Sequence, residues 1–321
     1  QFYSIMKPIN FLNSKINLIK LYGYEIILYK LNKIFISVLK VSKILMMGFI
    51  AIPIVLLIRL LKNHILIRIG YINTQRIGHF VPDSVDVMHR KKYDKNKYYD
   101  LYWPSNLICN KYWYNLVRRS ISISRFYYYI DVWNSIIPGG KIHKKNANVN
   151  PVSRDVEGLV WKNKIPLSLK SNDIEKGYNW LKKNGWKEKQ PFICLMIRDS
   201  AFLKTEKGLS PKFNFQKDVW AYHNYRDSDI TLYEEGIKWL AQQGVFVIRM
   251  SKIANTPISF KHKNVLDYPF CSSKSDFLDI FLMTNCTAAI STMVGMDLLP
   301  TIFKKPILYI NYLTYFWTPF F

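Results

Sequence analysis

The sequence predicts an α/β protein: two doubly wound, Rossmann-like domains facing a cleft, preceded by a hydrophobic, basic helical segment. Three observations predict it. Short all-apolar runs alternate with segments of helical periodicity, as in 191–197, 230–243 and 245–250. Such runs mark strands buried on both faces, the pattern of a parallel sheet. These runs end in polar residues, Arg198-Asp199-Ser200 being the first example in the second half, and the C-terminal strand edge is where open parallel sheets bind ligands. The chain is also long and apolar enough to fill two cores, with 321 residues and 49% hydrophobic content.

Residues 1–63 are the helical segment. The pattern turns hydrophobic at Ile34, and 44–58 is a run of fifteen uncharged residues with Pro53 near its middle. A spanning helix wants about 20 apolar residues. Extended back through 34–39, with Lys40 and Lys43 snorkelling, the segment reaches that length. Three readings stay open: a helix embedded in the membrane surface, a spanning anchor, or a buried soluble helix. A signal peptide is disfavoured because no small-residue cleavage site follows. Net charge is +24, with 23 Lys+Arg against 6 Asp+Glu in residues 1–150 and 23 against 16 in 151–321. The excess flanks the most apolar segment, which suits an anionic membrane face. A nucleic-acid partner is not expected, since these charges form no recognised nucleic-acid motif.

The first domain is read over 64–155. Residues 65–72 are a strand, followed by a loop holding Arg76, Gly78 and His79, where Gly78 permits either close backbone approach or positive φ. A second strand, 98–103, stops at Pro104, and 111–120 is a helix. Arg125-Phe126-Tyr127-Tyr128-Tyr129 reads as a strand or as a stacking surface, and Pro138-Gly139-Gly140 is a turn before an exposed linker. The second domain is read over 156–321. It offers a helix over 173–184 ending at Gly185, a strand over 191–197, a loop over 202–221, a helix from Ile230 to Gly244 and a strand over 245–250. A short strand at 264–268, a helix from Ser275 with Asp276 and Asp279 in its first turn, and strands at 287–290 and 306–310 complete it. Both chain ends read as fragment ends, so this domain is expected to be truncated at its C-terminus.

The candidate site residues cluster at strand ends. Tyr222-His223-Asn224-Tyr225-Arg226-Asp227-Ser228-Asp229-Ile230 opens a helix. Capping accounts for Ser228 or Asp229 but not for His223, Arg226 and Asp227 together. Arg198, Arg226, Arg249 and Lys252 lie near strand C-termini or helix N-termini, and guanidinium forks match phosphate geometry. Ser291 and Thr292, with backbone N–H groups around Gly295, are expected to cradle a diphosphate. A hydroxyl nucleophile needs a general base, and His79 and Asp227 lead the candidates, followed by His223 and Asp199. Asp227-Ser228-Asp229 has the D-x-D form of a metal site, but it follows a polar loop instead of closing an apolar strand; no metal and no other cofactor is expected. The motifs of P-loop kinases, zinc proteases, nicotinamide enzymes and serine hydrolases are missing. Cys109, Cys194, Cys271 and Cys286 show no C-x-x-C spacing.

Arg76-Ile77-Gly78-His79, Met196-Ile197-Arg198-Asp199-Ser200-Ala201, the 222–230 cluster, Arg249-Met250, Ser275-Asp276-Phe277-Leu278-Asp279-Ile280 and Ile290-Ser291-Thr292 occur in that order. This series resembles a family of bacterial glycosyltransferases found with surface-polysaccharide genes, over about 65–311. The resemblance implies a GT-B-like fold and sugar transfer from a nucleotide-sugar donor. In a two-domain transferase the acceptor lies against the first domain, so the strand-end reading expects Arg76, Gly78 and His79 on the acceptor side and Arg198, Asp199, His223, Tyr225, Arg226, Arg249, Ser291, Thr292 and Gly295 on the donor side. The chain departs from that family at Met293-Val294-Gly295, where a smaller, Gly- and Ser-richer turn is expected. The His223-x-x-Arg226 element is also similar to fucosyltransferases that use a catalytic-loop Arg. The expectation is a metal-independent glycosyltransferase at the cytoplasmic face of the inner membrane, acting on a lipid-linked or growing glycan. The alternative is an inactive membrane-associated scaffold or lipid-binding protein on the same fold.

Overall fold

A computed structural model of the chain describes residues 24–93, 98–145, 147, 158–201 and 221–311. Helix α1, Tyr24–Leu60, runs unbroken through Pro53. It leads into strand β1 (Leu66–Ile72), helix α2 (Ile77–Tyr93), strand β2 (Tyr98–Pro104), helix α3 (Lys111–Val117), strand β3 (Ser122–Ile123) and helix α4 (Tyr127–Ile136). These three strands form a parallel sheet in the order β1-β2-β3.

The second half adds α5 (Leu159–Lys162), α6 (Ser171–Lys183), β4 (Phe192–Met196), α7 (Glu234–Gln242), β5 (Phe246–Arg249), β6 (Val265–Asp267), α8 (Asp276–Asn285), β7 (Ala288–Ser291), α9 (Leu298–Ile302) and β8 (Ile307–Tyr309). Its five strands are all parallel, in the order β6-β5-β4-β7-β8. The chain builds outward from β4 through β5 to β6, then returns to the other side of β4. The topological switch point therefore lies between β4 and β7, where a doubly wound sheet opens its ligand crevice. The β4 run Phe192-Ile193-Cys194-Leu195-Met196 is buried along its whole length, as helices on both faces require. Glycines at positive φ, Gly185 (96°) and Gly244 (84°), end the helices before β4 and β5.

Two expectations change. The aromatic stretch 125–129 is neither strand nor open platform: it turns into α4, and Tyr128 packs edge-on to Trp103 at 5.1 Å. A run of four aromatics carries no clear period, so contacts with β2 decide it. The loop expected at Arg76–His79 is the first turn of α2, with His79 and Phe80 N–H both donating to the Arg76 carbonyl (3.0 and 2.9 Å).

The two sheets share one core. Phe80, Trp113 and Leu116 from the first half join Leu181, Phe192 and Phe281 from the second in one cluster. Polar links cross the same junction. Asn110 Nδ2 donates to the Asp276 carbonyl (2.9 Å), the Lys111 N–H donates to the Asp276 carboxylate (2.7 Å), and Tyr112 Oη donates to Asp173 (2.8 Å). The halves thus meet through a packed junction here, not across an open gap.

On the other side of the first sheet, α1 lies alongside α4. Ala51, Val55 and Ile58 are buried there with Ile130 and Ile69. Gly48 lets the Trp133 ring lie against the helix backbone; a Cβ at that position would come within 2.7 Å of the ring. Arg59 donates to the carbonyls of Asn134, Ile137 and Pro138, closing the far end of the contact. At the near end Lys40 sits over the Tyr128 ring, 5.6 Å from its centroid. Because α4 starts beside the C-terminal ends of β2 and β3, residues of α1 before Lys40 run on past that edge.

Candidate active site

The switch-point crevice is built from the ends of β4 and β7. The Arg198 N–H donates to Thr292 Oγ1 (2.8 Å), and the Thr292 N–H donates to the Met196 carbonyl (3.0 Å), so the loops leaving the two strands are stitched together. Arg198 carries the side chain at this point. Its Nε donates to Asp227 Oδ1 at 3.0 Å, and the two side chains are only 15% and 21% exposed. The Ser228 N–H donates to the Arg198 carbonyl (2.8 Å), bringing the 222–230 cluster onto the β4 end. Among the described residues the Nη groups of Arg198 make no hydrogen bond. A guanidinium fixed at Nε with its outer nitrogens free is oriented to receive an anion.

Asp229 does a different job from Asp227. Its carboxylate caps the short turn Ile230–Tyr233 by accepting the Thr231 N–H (3.0 Å). The two carboxylates of the D-x-D sequence therefore face separate partners. Tyr225 is exposed, and the Arg226 guanidinium lies 6.0 Å from its ring centroid. The His223 backbone lies in the turn Ala221–Arg226, and its side chain falls outside the described residues, as does the loop 202–220.

Five residues expected on the donor side have internal roles. Arg249 is 2% exposed, with its guanidinium 3.5 Å from Asp267, 3.8 Å from Asp199 and hydrogen-bonded to the Thr256 carbonyl at 2.6 Å. It is a buried strut that holds the β5 end to its neighbours, not a group presented to a ligand. Asp199 is bound in the same way: its two oxygens accept the Ala201 and Asn255 N–H groups, both at 2.9 Å. Ser291 and Thr292 are buried, and their hydroxyls are used inside the loop. Ser291 Oγ donates to Asp297 (2.9 Å) and accepts the Met293 N–H (3.0 Å). Lys252 donates to the Cys109 carbonyl (3.0 Å) across the junction.

Gly295 faces α2 instead of an open cradle. A Cβ on Gly78 would come within 2.8 Å of the Gly295 Cα, and one on Gly295 within 3.1 Å of the Gly78 backbone. Gly78 is required for this approach and not for positive φ. The contact brings His79, the next residue, beside the β7 loop. Met293, at φ 65°, makes the turn that the smaller residue was expected to make.

His79 is half-buried, and its imidazole forms no hydrogen bond among the described residues. Burial and the neighbouring Arg76 cation hold its pKa below the usual imidazole value. The shift favours the neutral imidazole, the state a base requires. Asp297 was missed in the sequence. Burial pushes its carboxyl up to about 7, while hydrogen bonds from Ser291 and the Val294 N–H and the field of Arg226 oppose the shift. The available signal was an acid six residues after Ser291 in a tight loop, which is not specific. No cluster able to hold a metal ion is present among the described residues.

The fold and site thus define an α/β protein with an arginine–carboxylate pair at its switch point and a neutral histidine at the adjoining helix start. No protein-family model matches the chain, and no curated protein matches it in sequence. Among solved structures it is similar to E. coli ADP-heptose lps heptosyltransferase II, with a TM-score of 0.47 and 10% identity over 76% of this chain and 84% of that one. A likeness this slight assigns neither fold nor activity.

Proposed function

We propose that the chain is a glycosyltransferase that takes a nucleotide-sugar at the β4–β7 crevice and transfers the sugar to a lipid-linked or growing surface glycan. The observation that carries this reading is Arg198. It sits at the switch point, is held at Nε by Asp227 and has outer nitrogens that make no hydrogen bond among the described residues, so it can meet the diphosphate and stabilise charge on the leaving group. Arg226 and the exposed Tyr225 ring border the same loop and supply a second cation and a stacking face. His79 is the general base for the acceptor hydroxyl, with Asp227 as the alternative; the ion pair of Asp227 with Arg198 favours His79. Burial, reinforced by Arg76, favours the neutral form of His79. Arg249, Asp199, Ser291 and Thr292 are positioning residues.

The reaction needs no metal or other cofactor in this reading, because fixed cations do the work of charge neutralisation. Helix α1 is long and apolar enough to cross a membrane, and its basic flanks suit an anionic surface at the cytoplasmic face of the inner membrane. Calorimetry with UDP, GDP, CMP and ADP, and with their sugar conjugates, tests the proposal. Binding of one of them that is lost in Arg198→Met supports it. Absence of binding by all of them, in a folded chain, favours the inactive scaffold.

A further inference from the structure

We infer that α1 lies in the plane of a membrane surface, with one long face in the lipid, and does not cross the bilayer. This deepens the membrane reading above and is independent of the transferase reading.

The helix has a narrow side that carries lysines and then docks, and a broad exposed apolar side to which Leu39, Met46, Ile50 and Leu57 also belong. Steps of three and four residues place Lys30, Lys33, Ser37, Lys40, Ile44, Gly48, Ala51, Val55 and Ile58 on one side. The second half of that side is docked: Ala51, Val55 and Ile58 are buried against the first sheet and α4, and the Ile44 carbonyl accepts the Trp133 indole N–H at 3.1 Å. The first half is a row of lysines, with Lys33 over Tyr29 at 4.9 Å and Lys40 over Tyr128.

The same steps place Leu31, Phe35, Val38, Leu45, Phe49, Leu56 and Leu60 on the opposite side. All seven are exposed, reaching 86% at Phe49 and 78% at Leu60. This apolar strip extends along most of a helix of 37 residues, about 55 Å at 1.5 Å per residue.

A spanning helix meets lipid on every side for about 20 residues. Helix α1 has the length and apolarity by composition, but neither half can meet that condition. The first half would carry three lysines of one row into the hydrocarbon, and the second half has a folded domain on one side. An in-plane helix meets both conditions: its apolar face enters the acyl boundary while the lysines and the domain stay at headgroup level. The occupant of the strip is a bilayer with anionic headgroups, since the lysine row and Lys43 and Lys62 supply the complementary charge.

The test uses the full chain on vesicles of phosphatidylethanolamine with phosphatidylglycerol. Nitroxide labels are placed by Phe35→Cys, Phe49→Cys, Leu60→Cys, Lys33→Cys and Lys40→Cys, in a chain whose Cys109 and Cys271 are serine. The expected result is that the first three labels share one shallow depth by oxygen accessibility, while the two at lysine positions are relaxed by a water-soluble nickel complex. A depth that changes steadily from Phe35 to Leu60 overturns the in-plane geometry and leaves a spanning anchor. Failure of the chain to float with any vesicles removes the membrane reading itself, and labels buried in a dimer without lipid assign the strip to a second copy. As a second measurement, Phe49→Glu with Leu60→Glu is expected to release at least tenfold more protein from the vesicles with an unchanged thermal melt, since both side chains are exposed. Retention of that folded variant on the vesicles also overturns the inference.

Discussion

Arg198 and Arg249 stand at the ends of adjacent strands and look equivalent in sequence, yet their surroundings predict opposite responses to the same substitution. In Arg249→Met a buried cation is removed from between Asp199 and Asp267, which are 16% and 18% exposed. Asp267 keeps the Ile258 N–H and Asp199 keeps two N–H groups, but both lose their counter-ion, and the Thr256 carbonyl loses a donor. Breaking a buried pair from one side costs about 3–5 kcal/mol. Partial exposure of the carboxylates puts this case near 3 kcal/mol, a fall in Tm of about 4–5 °C for a chain of this size. Arg198→Met removes one partly exposed ion pair, costing about 1 kcal/mol or less. Its effect falls instead on ligand: a hydrogen bond to a charged group contributes about 1.5–3 kcal/mol, or a rise of about 10- to 150-fold in Kd for the nucleoside diphosphate. Differential scanning fluorimetry and calorimetry on both variants give the comparison. A stable Arg249→Met, or an Arg198→Met that melts early and binds normally, would refute the division into strut and ligand.

Other expectations follow from the same geometry. His79→Gln should lower the transfer rate by about 10²–10⁴-fold with a correctly folded chain, and NMR titration of the wild-type ring should give a pKa below 6.5, since burial and Arg76 both disfavour the cation. The rate should accordingly fall as pH drops through that value, and a plateau extending well below it would exclude His79 as the base. Gly78→Ala places a Cβ 2.8 Å from a backbone atom of Gly295, whereas Gly295→Ala makes its closest contacts at 3.1 Å. Overpacking costs about 1–3 kcal/mol and helix propensity returns about 1 kcal/mol at Gly78, so Gly78→Ala should melt a few degrees early and lose more activity than stability. Burial raises Asp297 to about 7 and Asp279 to about 6. The folded state therefore holds protons that the unfolded chain releases, and stability should decline as pH rises from about 4 to 7, by a few kcal/mol; urea titrations should show this slope reduced in Asp297→Asn.

The strands of the second sheet were legible because an unbroken apolar run such as Phe192-Ile193-Cys194-Leu195-Met196 needs cover on both faces, and that need is local to the sequence. Helix ends were legible for the same reason: Ser275 caps α8 by accepting the Leu278 N–H at 3.2 Å, three residues away. The polar residues after β4 and β7 were legible as strand ends, whereas their meeting at the switch point depends on the strand order, which no local pattern shows. What the sequence hid was which polar groups are turned inward. Arg249 is a strut because of Asp267, 18 residues on, and Asp199, 50 residues back. Gly295 is closed off by a glycine more than 200 residues earlier in the chain. Such pairings depend on how the two halves meet, and no local pattern carries that information. The α4 region was ambiguous because its aromatics satisfy helix and strand equally until Trp103 and Asp131 are near.

The alignment of α1 with α4 has a kinetic meaning. The part of α1 before Lys40 continues past the strand edge that carries Arg76, Gly78 and His79, so a helix lying in the membrane surface would place that edge beside the lipid. An acceptor held in the same bilayer would then reach the site by lateral diffusion in two dimensions. Turnover would follow acceptor density per unit of membrane area and not its concentration in bulk, and diluting the acceptor with inert lipid would slow the reaction even when its total amount is unchanged.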